Sequence, residues 1–179
     1  MRRGTLRKFH GNWIVVLAST LLLTGSVSFA AQATDPLYDA LLKSQPRQLP
    51  AGFEIVQISS GPIDQWDRNA GLMGNAQITL RGADPKAKIN YLLFPDERAA
   101  NNYLTQFDSA ILTHKASRVT VPSLPTADCG ETQGNAGCAI SAGRIAVFSL
   151  GTKVDSDAGP LLKAALDHLS AVRQSTGLQ

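Results

Sequence analysis

The sequence predicts an α+β domain: a two-layer arrangement with a mostly antiparallel sheet of about five to six strands, two long helices on one face and a short N-terminal helix. Three observations predict it. Two segments, 96–111 and 156–172, carry one apolar stripe each at helical spacing. Short β-patterned segments follow one another with tight Gly- and Pro-bearing turns, which favours antiparallel pairing. Two of those segments, 87–94 and 144–150, are apolar on both faces and belong in the middle of a sheet.

The first 33 residues stand apart. Arg2, Arg3, Arg7 and Lys8 precede an apolar run from Trp13 and Ile14 through Leu21-Leu22-Leu23, and no acidic residue precedes Asp35. Ala31-Gln32-Ala33 then supplies a small-residue cleavage site, with Ser28-Phe29-Ala30 as the second choice. This is the tripartite pattern of a bacterial Sec secretory signal. Thr24, Gly25, Ser26 and Ser28 break the apolar run short of the roughly 20 residues that a spanning helix needs. No cysteine follows that would take a lipid, and Arg2-Arg3 lacks a twin-arginine context. The expectation is a cleavable signal over 1–33, a single globular domain over 34–179, and a periplasmic or extracellular address. Cleavage after Ala30 and retention as an anchor stay open.

Charge follows from that division. The whole chain has 17 basic and 14 acidic residues, net +3. Removing the leader takes four basic residues and no acidic one, leaving 13 against 14 and a net charge of −1. The remaining charges are spread singly, so nucleic acid and anionic membrane are not expected partners. At 44% hydrophobic and 17% charged residues, the chain is too apolar to be disordered.

Asp35-Pro36 opens the first helix as N-cap and first helical residue, with Leu37, Tyr38, Leu41 and Leu42 on its apolar side. Phe53 to Ile58 reads as a strand with Phe53, Ile55 and Gln57 on one face and Glu54, Val56 and Ile58 on the other. Asn75 to Arg81 and Ala87 to Phe94 form a hairpin across Gly82-Ala83-Asp84-Pro85. Pro95-Asp96 caps the long helix whose stripe is Ala100, Tyr103, Leu104, Phe107 and Ile111. Ser117 to Val121, Cys138 to Ala142 and Arg144 to Leu150 supply three further strands, the last two turning at Gly143. The closing helix, opened by Ser156-Asp157 and Pro160, buries Leu161, Leu162, Ala165, Leu166, Leu169 and Val172. Three strands and a helix thus occur twice, which raises the question of an internal duplication.

Cys129 and Cys138 are the only cysteines, in a Gly-rich polar stretch. An exported context makes them a structural disulfide stapling a hairpin, and their spacing fits neither a C-x-x-C redox motif nor a zinc knuckle. Asp128 and Glu131 beside them read as solvated loop charges, or as a carboxylate pair presented to a partner.

Catalytic patterns are sparse. There is no G-x-S-x-G, no His-x-x-x-His, no calcium loop and no phosphate loop, so neither metal nor cofactor is expected. Outside the leader, the histidines are His114, at a helix end, and His168, one residue off its helix stripe and so expected at the surface. Asp64, Asp67, Asp96 and Asp128 are the carboxylates from which a glycosidase pair would be drawn. The stretch Ser59 to Gly74 has no clear periodicity and is long for a connection in a small domain. It holds Trp66 flanked by Asp64, Asp67 and Arg68, and Trp with Arg forms an anchor pair at interfaces. Its alternative role is to fold Trp66, Leu72 and Met73 inward with Asp67 and Arg68 facing water.

The functional expectation is an exported, non-catalytic module binding an unidentified protein or small ligand through Trp66, Asp64, Asp67 and Arg68. Two rivals accompany it. One is a small hydrolase with a dispersed Ser or Asp site, which needs a cleft holding a Ser beside a His. The other is an inhibitor or structural partner presenting the disulfide loop.

Overall fold

The computed structural model describes residues 35–82, 87–113 and 116–178. Its elements in chain order are α1 (Pro36–Lys43), β1 (Glu54–Ser60), α2 (Gln65–Asn69), β2 (Gly74–Arg81), β3 (Lys88–Leu93), α3 (Glu97–Thr113), β4 (Ser117–Arg118), β5 (Asp128–Thr132), β6 (Asn135–Ala142), β7 (Ile145–Gly151) and α4 (Gly159–Thr176). A turn of π-helix, Val154–Ala158, leads into α4. The strands make one sheet, ordered β1-β2-β3-β7-β6-β5-β4, in which every neighbouring pair is antiparallel. This is the α+β class that the pattern predicts. Residues 1–34, which include the expected leader, lie outside the described residues, as do 83–86, 114–115 and 179, His114 among them.

The layering differs from expectation, and the central strands explain why. Ile89, Tyr91, Leu93, Ile145 and Val147 point to one face, where α1 packs with Leu37 and Leu41 and α4 with Leu161, Leu162, Ala165 and Leu169. Leu92, Phe94, Ala146 and Phe148 point to the other, where Ala100 and Leu104 of α3 cover them. Strands that are apolar on both faces need a cover on each, so the two long helices lie on opposite sides and the domain has three layers. The same placement removes the duplication. A two-fold axis relating antiparallel β3 and β7 must run normal to the sheet, and that operation would keep both helices on one face.

Three local details also depart from the sequence reading. In β1, Ile55 pairs with Leu80 and Gln57 with Thr79, leaving Val56 as a bulged, exposed residue. The bulge resets the alternation, so Ile58 joins Ile55 on the α1 side instead of opposing it. Ser117 to Val121 contributes a strand of only two residues. The hairpin that the disulfide was expected to staple is present, but its first arm is a strand, β5, that the sequence reading did not include: Cys129 stands directly opposite Cys138 across β5 and β6, with Cα atoms 4.1 Å apart in the disulfide. Gly134, at φ 75°, turns the chain between the two strands.

The start of the domain is tied at both ends of one side chain. Asp35 Oδ1 accepts from the backbone N–H groups of Leu37 and Tyr38, and Oδ2 pairs with Arg144 at 2.7 Å beside the β6–β7 turn.

Candidate functional site

The Ser59 to Gly74 stretch contains a helix that the sequence reading missed. Asp64 accepts from the Asp67 N–H at 2.8 Å, and Asp67 Oδ2 accepts from the Asp64 N–H at 3.1 Å, a reciprocal capping box at α2. The Asp-x-x-Asp spacing was the available signal. Asp67 is only 3% exposed, and its remaining oxygen takes a hydrogen bond from the Tyr103 hydroxyl of α3 at 2.9 Å. Burial first, and then the charge and hydrogen bond of Asp67, push the Tyr103 phenol up, so it stays a donor. Arg68 is exposed and donates to the Ile63 carbonyl at 2.8 Å.

Trp66 ends up on the outside of this scaffold. Its ring tilts against Tyr103 with centroids 5.4 Å apart, yet the residue remains 51% exposed, and Met73 is 57% exposed. Leu72 alone of the three apolar residues turns into the core under α3. The inward alternative therefore holds for Leu72 and for the exposure of Arg68, and it is reversed for Trp66, Met73 and Asp67. Tyr103→Phe, which leaves a buried carboxylate oxygen without its donor, is expected to cost about 1–3 kcal/mol in chemical unfolding. An unchanged midpoint would show that the Tyr103–Asp67 bond does not hold α2 in place.

His168 is not at the surface. It is 5% exposed, with the Tyr91 hydroxyl 2.8 Å from Nδ1 and Ser44 Oγ 2.9 Å from Nε2. The proton positions follow from the competing partners. Ser44 Oγ donates to the Ala40 carbonyl at 2.7 Å, whereas Tyr91 reaches the Ala165 carbonyl only at 3.3 Å. The better network has Tyr91 donating to Nδ1 and Nε2–H donating to Ser44. A serine nucleophile needs the reverse, with its own proton directed at the ring. In that arrangement Ser44 and His168 tie the end of α1 to α4 and β3, and the serine proton is directed at the Ala40 carbonyl and not at the ring.

The carboxylates divide in the same way. Asp64 and Asp67 cap α2, and Asp96 caps α3 by accepting from Ala99 N–H at 2.8 Å. Asp128 and Glu131 lie three residues apart in β5, and strand alternation sends them to opposite faces. Glu131 accepts from the Val154 N–H at 2.8 Å, so it is not a free loop charge. Asp128 opens into a cleft of about 450 Å³ on the α3 side, lined by Asn101, Thr105, Asp108, Arg118 and Ser141 among others. Arg118 contacts Asp108 directly and lies 3.8 Å from Asp128. Asn101 accepts from Ser141 Oγ at 2.6 Å. Asn101, Thr105 and Asp108 share one face of α3 beside its apolar stripe, but Arg118 and Asp128 come from other elements.

The disulfide sits with the α4-side core, both sulfurs buried, and only the turn at Gln133-Gly134 is displayed. Among the described residues no three His, Cys, Asp or Glu side chains gather as a metal site, and no helix is long and apolar enough to cross a membrane. No protein-family model matches the sequence, and comparison with curated proteins finds no significant relative.

Proposed function

We propose that the chain is an exported, non-catalytic module that binds a protein or small apolar ligand through the surface around Trp66. One observation carries this reading. A tryptophan is left half exposed on a helix whose position is set by a capping box and by the Asp67–Tyr103 hydrogen bond. An exposed aromatic anchor on a pre-ordered support loses little conformational freedom on binding, which is the physical profile of an interface hot spot. Met73, exposed a short distance along the same segment, adds a second adaptable apolar group. The disulfide fits an oxidising compartment, and the leader's basic and apolar regions fit export.

The test is affinity capture from the producing cell's envelope fraction, with the wild type beside Trp66→Ala. The reading expects a bound species that the variant loses at unchanged melting temperature, with an effect on the order of 2 kcal/mol or more for a central aromatic. Equal capture by the variant would contradict it. So would steady turnover of an ester, peptide or glycan panel that a single Ser or carboxylate substitution abolishes.

A further inference from the structure

The cleft between α3 and strands β4 to β6 supports a second inference, independent of the Trp66 surface. It is an open cleft of about 450 Å³ with a mainly polar lining. Its polar side chains are unequally satisfied. Asn101 is engaged by Ser141, and the Arg118 guanidinium is in direct contact with Asp108. Among the described residues Asp128 has only Arg118, at 3.8 Å, beyond hydrogen-bond reach. Two carboxylates share one guanidinium, so the described lining residues carry a net charge of −1.

That imbalance selects the ligand. Burial, and then the Asp108 charge, push the Asp128 carboxyl above its usual range, while Arg118 offsets only part of the effect. An anion entering the cleft would meet two carboxylates, and a neutral polyol would leave Asp128 uncompensated. A cation at hydrogen-bond distance would offset the Asp108 repulsion and pair with a carboxylate whose side chain is 38% exposed to the cleft.

We propose that this cleft binds a small ligand bearing an ammonium or guanidinium group, received by Asp128 with Asp108 behind it. The hydroxyls of Thr105 and Thr126 then face the ligand's neutral hydrogen-bonding groups. Arg118 acts as an internal competitor that holds the pair of carboxylates together when the cleft is empty.

Putrescine and agmatine, titrated by calorimetry into the purified disulfide-intact protein, test this directly, with 1,4-butanediol and butyrate as neutral and anionic comparators. Both cations should bind saturably and both comparators should not. Asp128→Asn should weaken cation binding by about tenfold or more, as loss of a charge-assisted contact requires. Arg118→Gln, which removes the competitor, should strengthen it. Asp128 makes only the 3.8 Å ion pair with Arg118, between side chains 38% and 50% exposed, so its replacement by Asn should move the melting temperature little and leave the comparison interpretable. Absence of saturable cation binding, equal binding of butanediol, or wild-type affinity in Asp128→Asn would each overturn the proposal, the last by placing the cation on carboxylates elsewhere.

Discussion

Between pH 6.5 and 4 the folded domain is expected to lose about 3 kcal/mol of stability through His168 alone. Burial pushes the imidazole down from 6.5 to about 4. Among the described residues no carboxylate faces it from the packed elements; its partners are the Tyr91 and Ser44 hydroxyls, and the neighbouring Asp167 is turned outward onto Lys163. Above pH 6.5 the ring is neutral in the folded and unfolded states, and it contributes no pH dependence. Below that value the unfolded chain takes up a proton that the folded chain refuses, so stability falls as pH falls, and the loss levels off below about 4. Protonation would also put a proton on Nδ1, which now accepts from Tyr91, and would set two donors against each other. His168→Gln should be less stable at neutral pH and should lose this slope. Urea unfolding of both proteins at several pH values reads the effect, and parallel pH profiles would contradict the buried, neutral histidine.

Opening the Cys129–Cys138 bridge is expected to cost about 2.5–3 kcal/mol, the chain-entropy value for a loop of about ten residues. The two cysteines are nine apart in sequence and already face each other across the β5–β6 ladder. Reduction therefore removes a constraint on the unfolded chain and leaves the folded strands their backbone pairing. Circular dichroism should stay constant while the unfolding midpoint falls. Loss of strand signal on reduction would mean that the bridge forms the hairpin instead of stapling it. Two free thiols in protein from an oxidising compartment would contradict the bridge itself.

What the sequence could and could not disclose follows from the range of the interactions. Helices α1, α3 and α4 were legible because caps and stripes are local, as at Asp35-Pro36 and in the run Ala100, Tyr103, Leu104 and Phe107. The central position of β3 and β7 was legible because both carry apolar residues on both faces. The face that α3 occupies was not, since a stripe says that a helix must pack and not on which side. Strand β5 was hidden because Asp-Cys-Gly-Glu-Thr lacks apolar alternation and is held by its neighbours. The burial of His168 depends on Tyr91 and Ser44, 77 and 124 residues away, and no periodicity announces such a contact.

The candidate site divides in the same way. Trp66 stood out because it interrupts an aperiodic segment. Asp67, however, reads as a surface charge until Tyr103 of a distant helix supplies its partner. The cleft draws Asp108, Arg118 and Asp128 from three separate elements and left no spacing to notice.

The most direct measurement uses Trp66 itself, which is the single tryptophan once residues 1–33 are removed. In the free protein its emission should be that of a partly hydrated indole, quenched efficiently by acrylamide. Addition of the species captured from the envelope should shift the emission to shorter wavelength and protect it from quenching, in proportion to binding. A saturated complex in which Trp66 keeps its free emission and its quenching would show that the partner docks elsewhere and would contradict the central reading.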